Sequence, residues 1–236
     1  KLTSDHALII QDLAYHYEER GRFEQAIGLY QQIVPLTQSN PELFRLGRSS
    51  VLGNFGLTLD QMGLLEEALS AYELAIATGE EENLAGSIML AGTVLHKMGN
   101  VDAAIERYQE SLQVNPNFGQ AYFHLALSWL ELKNWEEAFD SLARAQRLGI
   151  PDLDQDAREW AHPAIQEALA VKDYAEAIRI TQHLLKVVVE TAQEAYSQGL
   201  YTEKLGDMDT AQIHYRRALN LDPSHGEARS ALERLE

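Results

Sequence analysis

The sequence predicts an all-α protein built from six helix-turn-helix repeats and a short C-terminal helix. Three observations predict this fold class. One motif recurs six times, its copies follow at a nearly constant interval, and the chain of 236 residues contains only 6 prolines, which interrupt helices. Because each helical pair exposes an apolar face that the next pair must cover, such repeats stack into a solenoid.

The recurring motif is a bulky apolar residue, an alanine three residues later and an aromatic residue four residues after that. Phe23, Ala26 and Tyr30 form the first copy, whereas the fourth and fifth copies end in Leu142 and Thr181. The six alanines are Ala26, Ala68, Ala104, Ala138, Ala177 and Ala211. Their spacings are 42, 36, 34, 39 and 34 residues, which indicates a base period of 34 with insertions.

This motif and this period resemble those of the tetratricopeptide repeat family. The resemblance implies one right-handed superhelical solenoid domain over residues 1–236. Its repeats are expected at about 7–40, 49–82, 85–118, 119–152, 158–191 and 192–225. We interpret residues 226–236 as a helix that caps the last repeat. The alternative, the first helix of a seventh repeat, stays open.

Local features predict how the helices begin and pack. Small residues on the first helices are expected to face alanines on the second, as Gly56 faces Ala68. Asn40 followed by Pro41 predicts an early start for the first helix of the second repeat. The fifth repeat is the least typical, because Pro163 lies inside its first helix and predicts a kink or a late start.

Composition excludes several classes of function. Without cysteine, the chain can form neither disulfides nor iron–sulfur clusters, and it lacks a catalytic thiol. A net charge of −17 argues against binding to nucleic acid or to an anionic lipid surface. The sequence contains no phosphate-binding loop, no nucleophile elbow and no zinc motif of the His-Glu-x-x-His type. We therefore expect no enzyme activity, cofactor, metal site or membrane insertion by this segment.

In the tetratricopeptide repeat family, the first helices line a concave groove that holds a peptide or helix of a partner. The resemblance implies groove positions at Tyr15, Asn54, Leu57, Met89, Leu90, His96, Lys97, Phe123, His124, Leu127 and Leu130. The apolar residues among them are expected to form a binding patch in the middle of the groove. In the alternative interpretation, these side chains pack against neighbouring helices or under the insertion at residues 35–48.

Asn54 stands where co-chaperone members of the family place an asparagine that clamps a C-terminal carboxylate. The basic residues that complete that clamp are replaced here by Gln11, Tyr15, Gly86 and Leu90. We therefore expect no binding of heat-shock protein C-termini, and we expect Asn54 to hydrogen-bond a peptide backbone.

The sequence thus predicts a non-enzymatic adaptor for assembly, targeting or chaperoning, whose partner offers apolar anchors and a basic flank. The alternative is a peptide-sensing module cut from a larger regulatory or membrane-anchored protein, for example an assembly factor of a photosynthetic or envelope complex. The first residue is Lys1 and not methionine, which favours that alternative. A cytoplasmic location, or one in the soluble domain of a membrane-anchored protein, is expected, and self-association stays open.

Overall fold

A computed structural model describes residues 4–40, 44 and 47–236, excluding the side chains of residues 4, 5 and 38. The described residues form thirteen α-helices and no strand, which confirms the predicted all-α class. The helices are α1 Ser4–Glu18, α2 Phe23–Ser39, α3 Arg48–Gln61, α4 Leu65–Ala77, α5 Glu81–Lys97, α6 Val101–Val114, α7 Gly119–Glu131, α8 Trp135–Arg147, α9 Leu153–Ala170, α10 Tyr174–Leu184, α11 Ala192–Lys204, α12 Met208–Leu221 and α13 Gly226–Leu235.

The chain divides into two compact units, residues 1–128 and residues 129–236. In the first unit, α1 packs against α2, α3 against α4 and α5 against α6, and each of these pairs contacts the next. In the second unit, α10 contacts both α9 and α11, and α11 packs closely against α12. The expectation of a single domain over the whole chain stays a prediction.

Glycines on first helices lie directly against tyrosine rings on second helices. A Cβ atom placed on Gly56 would lie 2.8 Å from the Tyr72 ring, and one on Gly92 would lie 2.8 Å from the Tyr108 ring. In the sixth repeat, the corresponding distance from Gly199 to the Tyr215 ring is 2.6 Å. The atoms nearest to these glycines thus belong to the motif's tyrosines, with the backbone oxygen of the motif's Ala211 also 3.2 Å from a Cβ on Gly199. The motif's tyrosine fills that space, and all of these rings are buried.

A glutamate from the α4–α5 connection caps the N-terminus of α3. The Glu80 carboxylate accepts hydrogen bonds from the backbone N–H groups of Arg48 and Ser49 at 3.2 and 3.0 Å. Burial raises the pKa of Glu80, but these bonds outweigh it and hold the pKa below its ordinary value. Gly47 has a φ of +85°, and a Cβ there would lie 2.7 Å from Glu80 Oε2. The positive φ is the feature that favours glycine here, whereas the flexible end of the Glu80 side chain could shift away from a Cβ.

The two prolines that were expected to set helix starts differ in what the structure describes around them. Pro41 lies outside the described residues, and α3 as described begins at Arg48. Pro163 does not delay the start of its helix, because α9 already begins at Leu153 and continues past the proline to Ala170.

The C-terminal helix covers the last repeat, as expected for a cap. Ala228 and Ala231 of α13 are buried, and Leu232 and Leu235 pack against the core beside Tyr215. The imidazole of His225 caps this helix, because its Nδ1 accepts a hydrogen bond from the backbone N–H of Ala228.

Candidate functional site

The first unit presents an apolar surface on its first helices. We call it the first-unit face and define it by the predicted groove residues Tyr15, Asn54, Leu57, Leu90, Phe123, His124 and Leu127. The helices α1, α3 and α5 that carry its first half contact one another in sequence. Tyr15 is 55% exposed and Leu57 is 39% exposed, whereas the other members are half-buried. The two exposed side chains are therefore the most accessible apolar groups of the face.

Two predicted groove residues contact the core to different extents. Met89 is only 5% exposed and is a core residue, so it offers no surface to a partner. Leu90 packs against the core cluster that includes Leu59 and Ala91, but it is half-buried and keeps part of its surface on the first-unit face. The alternative interpretation of the sequence, packing against neighbouring helices, therefore describes Met89 fully and Leu90 in part. Leu130 is half-buried and belongs to the second unit.

Polar groups border the first-unit face. Lys97 Nζ lies 2.7 Å from a carboxylate oxygen of Asp60, so its charge is compensated within the protein. The His124 ring stacks on Tyr108 and meets Phe123 edge-on, with 5.7 Å between ring centroids in both cases. Burial lowers the pKa of His124, and the neighbouring His96 and Lys97 lower it further. His124 is therefore neutral near pH 7, and the Lys97–Asp60 pair carries no net charge.

The second unit contains a cleft that the sequence analysis did not identify. Helices α9, α10 and α11 surround a cavity of about 340 Å³, which we call the second-unit cleft. Ile165, Thr181 and Leu184 are among its lining residues, and the last two are buried. Its walls carry the polar residues Arg158, His162, Gln166, Gln193, Glu194, Ser197 and Tyr201.

The only Lys or Arg among the described lining residues is held by the protein itself. Arg158 Nε donates to Glu194 at 2.9 Å, and Arg158 Nη2 donates to the Val189 carbonyl at 2.8 Å. Glu194 is also fixed, because it completes a capping box with Thr191 at the start of α11. On the same helix, burial raises the pKa of Tyr201, so its hydroxyl stays protonated. The lining of the cleft is therefore polar without uncompensated charge from these groups.

Sequence reasoning missed this cleft because the fifth repeat departs from the motif and contributed no groove positions. A usable signal was present. Arg158, His162 and Gln166 follow one another at intervals of four residues, as do Gln193, Ser197 and Tyr201. Residues four apart share one face of a helix, so both series predict polar rows.

No three carboxylate or imidazole side chains among the described residues come close enough to hold a metal ion together. None of the helices described is both long and apolar enough to cross a membrane.

Family comparisons agree with the repeat pattern. Models described as tetratricopeptide repeat match residues 6–81, 89–152 and 191–225, which together are well over half of the chain. Both helices of the atypical fifth repeat, α9 and α10, lie between the second and third matches. No curated protein matches the sequence.

Solved structures share the fold at low sequence identity. A tetratricopeptide repeat protein from Parabacteroides merdae ATCC 43184 is 14% identical with a TM-score of 0.55, over 97% of this chain and 98% of that one. MamA from Desulfovibrio magneticus RS-1, from residue 41 to its end, is 15% identical with a TM-score of 0.51, over 93% of this chain and 97% of that one. The TPR2AB–pHSP90 complex of yeast Sti1 is 20% identical with a TM-score of 0.49, over 98% of this chain and 83% of that one. At these identities the likeness concerns the fold alone, an all-α solenoid of helical repeats.

Proposed function

Because the chain belongs to the tetratricopeptide repeat family, we propose that it is a non-enzymatic scaffold that binds a peptide or helix of a partner protein on the first-unit face. One observation carries this proposal. Tyr15 and Leu57 expose large apolar surfaces on neighbouring first helices, beside the amide of Asn54. An apolar surface next to a hydrogen-bonding amide suits the apolar anchor and the backbone of a bound segment.

The two exposed side chains of this face contribute a modest part of the free energy of binding. Complete burial of a large apolar side chain stabilises a complex by about 1.5–3 kcal/mol, and Tyr15 and Leu57 have roughly half of their surface still to bury. Two such anchors therefore contribute about 2 kcal/mol, or more than tenfold in affinity. Hydrogen bonds and charge attraction must supply the remainder.

Charge favours a partner with a basic flank. Asp12 and Glu19 are exposed on or next to α1, the helix that carries Tyr15, and the whole chain carries −17. Opposite charges accelerate encounter and select against acidic partners. The narrower expectations from the sequence, which are a role in assembly, targeting or chaperoning and a cytoplasmic location, stay predictions.

The proposal is tested by capture from the native source with the double variant Tyr15→Glu/Leu57→Glu. Both side chains are exposed, so the substitutions place a charge on the face without opening the core. The control variant is Leu74→Glu/Val114→Glu, which changes two comparably exposed apolar residues, 37% and 44%, on second helices of the same unit.

We expect the wild type and the control to retain the same partner, and the face variant to lose it. Unchanged far-UV circular dichroism of both variants establishes that the fold persists. Retention of every partner by the face variant would refute the assignment of binding to this face.

A further inference from the structure

Another cavity of the second unit, of about 310 Å³, lies between α8, α9 and α10 and shares no lining residue with the second-unit cleft. We call it the Trp135 pocket, after the aromatic residue that lines it together with Val171 and Ile180. Its lining also contains three carboxylate residues, Glu167, Asp173 and Glu176. We propose that the Trp135 pocket binds an arginine side chain of a partner polypeptide.

The apolar part of the lining suits the stem and the flat head of an arginine. Trp135 is half-buried, Val171 is 74% exposed, and Ile180 is buried. A guanidinium is attracted to the face of an indole ring, and the methylene groups of its stem pack on aliphatic side chains. Arginine suits this lining better than lysine does, because a planar guanidinium can stack on the indole and bind a carboxylate through two N–H groups.

The charges of the lining favour a cation. Lys133 is the only basic residue among the described lining residues, and its Nζ lies 2.9 Å from a carboxylate oxygen of Glu167. Three carboxylates against one ammonium leave a formal charge of −2. The side chains of Lys133 and Glu167 are 65% and 68% exposed, so their ion pair contributes little stability and an incoming guanidinium can replace the ammonium.

The protein's own Arg179 shows that the charges beside the pocket stabilise a guanidinium. Arg179 Nη2 lies 2.6 Å from Glu176 Oε2. This hydrogen bond and the charge of Glu176 raise the pKa of Arg179, and the charges of Glu136 and Asp173 raise it further. Arg179 is not among the lining residues of the pocket, so it leaves the cavity to a side chain from outside.

The same charges select an arginine within a polypeptide over the free amino acid. Free arginine would bring its own α-carboxylate towards the three carboxylates of the lining, and the ammonium of Lys133 is already paired. Inside a polypeptide that carboxylate is an uncharged amide, so only the guanidinium charge enters. A cavity of about 310 Å³ is at the lower end of the range for ligand sites, which suits one side chain and not a folded segment.

The test uses pentapeptides blocked at both ends, with glycine and serine flanking a central Arg, Lys, Leu or citrulline, the uncharged analogue of arginine. Free arginine is the fifth probe. Each is titrated to millimolar concentration against the full chain at about 0.15 M salt, which screens distant charges. Nuclear magnetic resonance follows the indole N–H of Trp135 and the backbone N–H of Val171.

Two variants remove the two kinds of contact. Glu167→Gln/Glu176→Gln removes two of the carboxylates, and its matched control is Glu159→Gln/Glu233→Gln, which changes the net charge equally at exposed positions outside the lining. Trp135→Leu removes the indole ring and keeps an apolar side chain, with the Val171 signal as its reporter. Far-UV circular dichroism establishes that each variant is folded.

We expect the arginine peptide to shift both signals, the lysine peptide to bind at least twofold more weakly, and the other three probes at least fivefold more weakly. Loss of two exposed ion pairs corresponds to a weakening of roughly 2- to 30-fold in Glu167→Gln/Glu176→Gln, with wild-type affinity in the control. Loss of the cation–π contact in Trp135→Leu corresponds to a weakening of the same size.

Several results would overturn the inference. These are no shift with the arginine peptide, binding of any other probe as tight as that of the arginine peptide, and unchanged affinity in Glu167→Gln/Glu176→Gln or in folded Trp135→Leu. All lining residues of the Trp135 pocket belong to the second unit, whereas the proposed function concerns the first-unit face. Either assignment can therefore fail while the other stands.

Discussion

The contact between Gly92 and Tyr108 predicts how much stability is lost when a methyl group is placed against the tyrosine ring. A Cβ on Gly92 would lie 2.8 and 3.0 Å from two ring carbons of Tyr108 and 3.1 Å from the Arg107 Cβ. Gly86 lies on the same helix, α5, and a Cβ there would meet nothing within 4 Å. Replacing either glycine by alanine gives the same gain in helix propensity, about 1 kcal/mol. The difference in unfolding free energy between the two variants therefore measures the cost of forcing a methyl group against the tyrosine.

Overpacking in a closely packed core costs about 1–3 kcal/mol. The variant Gly86→Ala should thus be more stable than the wild type by up to about 1 kcal/mol. We expect Gly92→Ala to be less stable than Gly86→Ala by about 1–3 kcal/mol, and to unfold roughly 2–12 °C lower.

Thermal and urea unfolding of the three proteins, followed by far-UV circular dichroism, measures both effects. Equal unfolding temperatures for the two variants would show that the helices separate without cost. The glycine would then not determine how closely α5 and α6 approach.

Two further predictions concern the caps and turns. Glu80→Gln should destabilise the protein by about 1–2 kcal/mol at pH 7, because the amide keeps only one of the two acceptor oxygens that bind the α3 N-terminus, and that oxygen is uncharged. Since the pKa of Glu80 is lowered in the folded state, its contribution is present above the ordinary value of 4.5 and is lost as pH falls through the folded-state pKa. In urea unfolding, the stabilities of the wild type and the variant should therefore converge as the pH falls. A difference in unfolding free energy that stays constant with pH would contradict the capping role of Glu80. Lys172 has a φ of +60°, so Lys172→Gly should stabilise by about 1 kcal/mol, whereas Gly99→Ala, at +81°, should destabilise by a similar amount. Opposite shifts in unfolding temperature check this pair, and shifts of the same sign would count against it.

The sequence alone predicted the helical pairs because their causes are local and repeated. Ala68 and Ala104, like the motif's other alanines, are buried, and the motif's tyrosines are among the largest fully buried side chains. A residue type that recurs at a fixed helical position must meet the same neighbour each time. That reasoning did not identify the neighbour itself, and Tyr72 and Tyr108 were found against the glycines only in three dimensions.

Contacts between residues of different repeats could not be predicted from the sequence. Glu80 is separated from Ser49 by 31 residues, so its capping role has no local signature. Met89 and Leu90 adjoin each other in a first helix, and family positions alone did not show that the Met89 side chain is buried in the core. The second-unit cleft was missed for a different reason, because α9 and α10, which supply most of its lining, belong to the fifth repeat, and that repeat matches the motif poorly.

Stability and binding are assigned to different sides of the same helices, which makes them separable by experiment. On α3, Gly56 faces the buried ring of Tyr72, whereas Leu57 is the next residue and is exposed. Successive helical residues point about 100° apart, so a substitution at one position leaves the environment of the other nearly unchanged. Changes on the exposed side should alter the free energy of unfolding by less than about 0.5 kcal/mol. A loss of partner binding in Tyr15→Glu/Leu57→Glu without a loss of stability would therefore report on the surface, because the glycine–tyrosine contacts that bring the helices together remain intact.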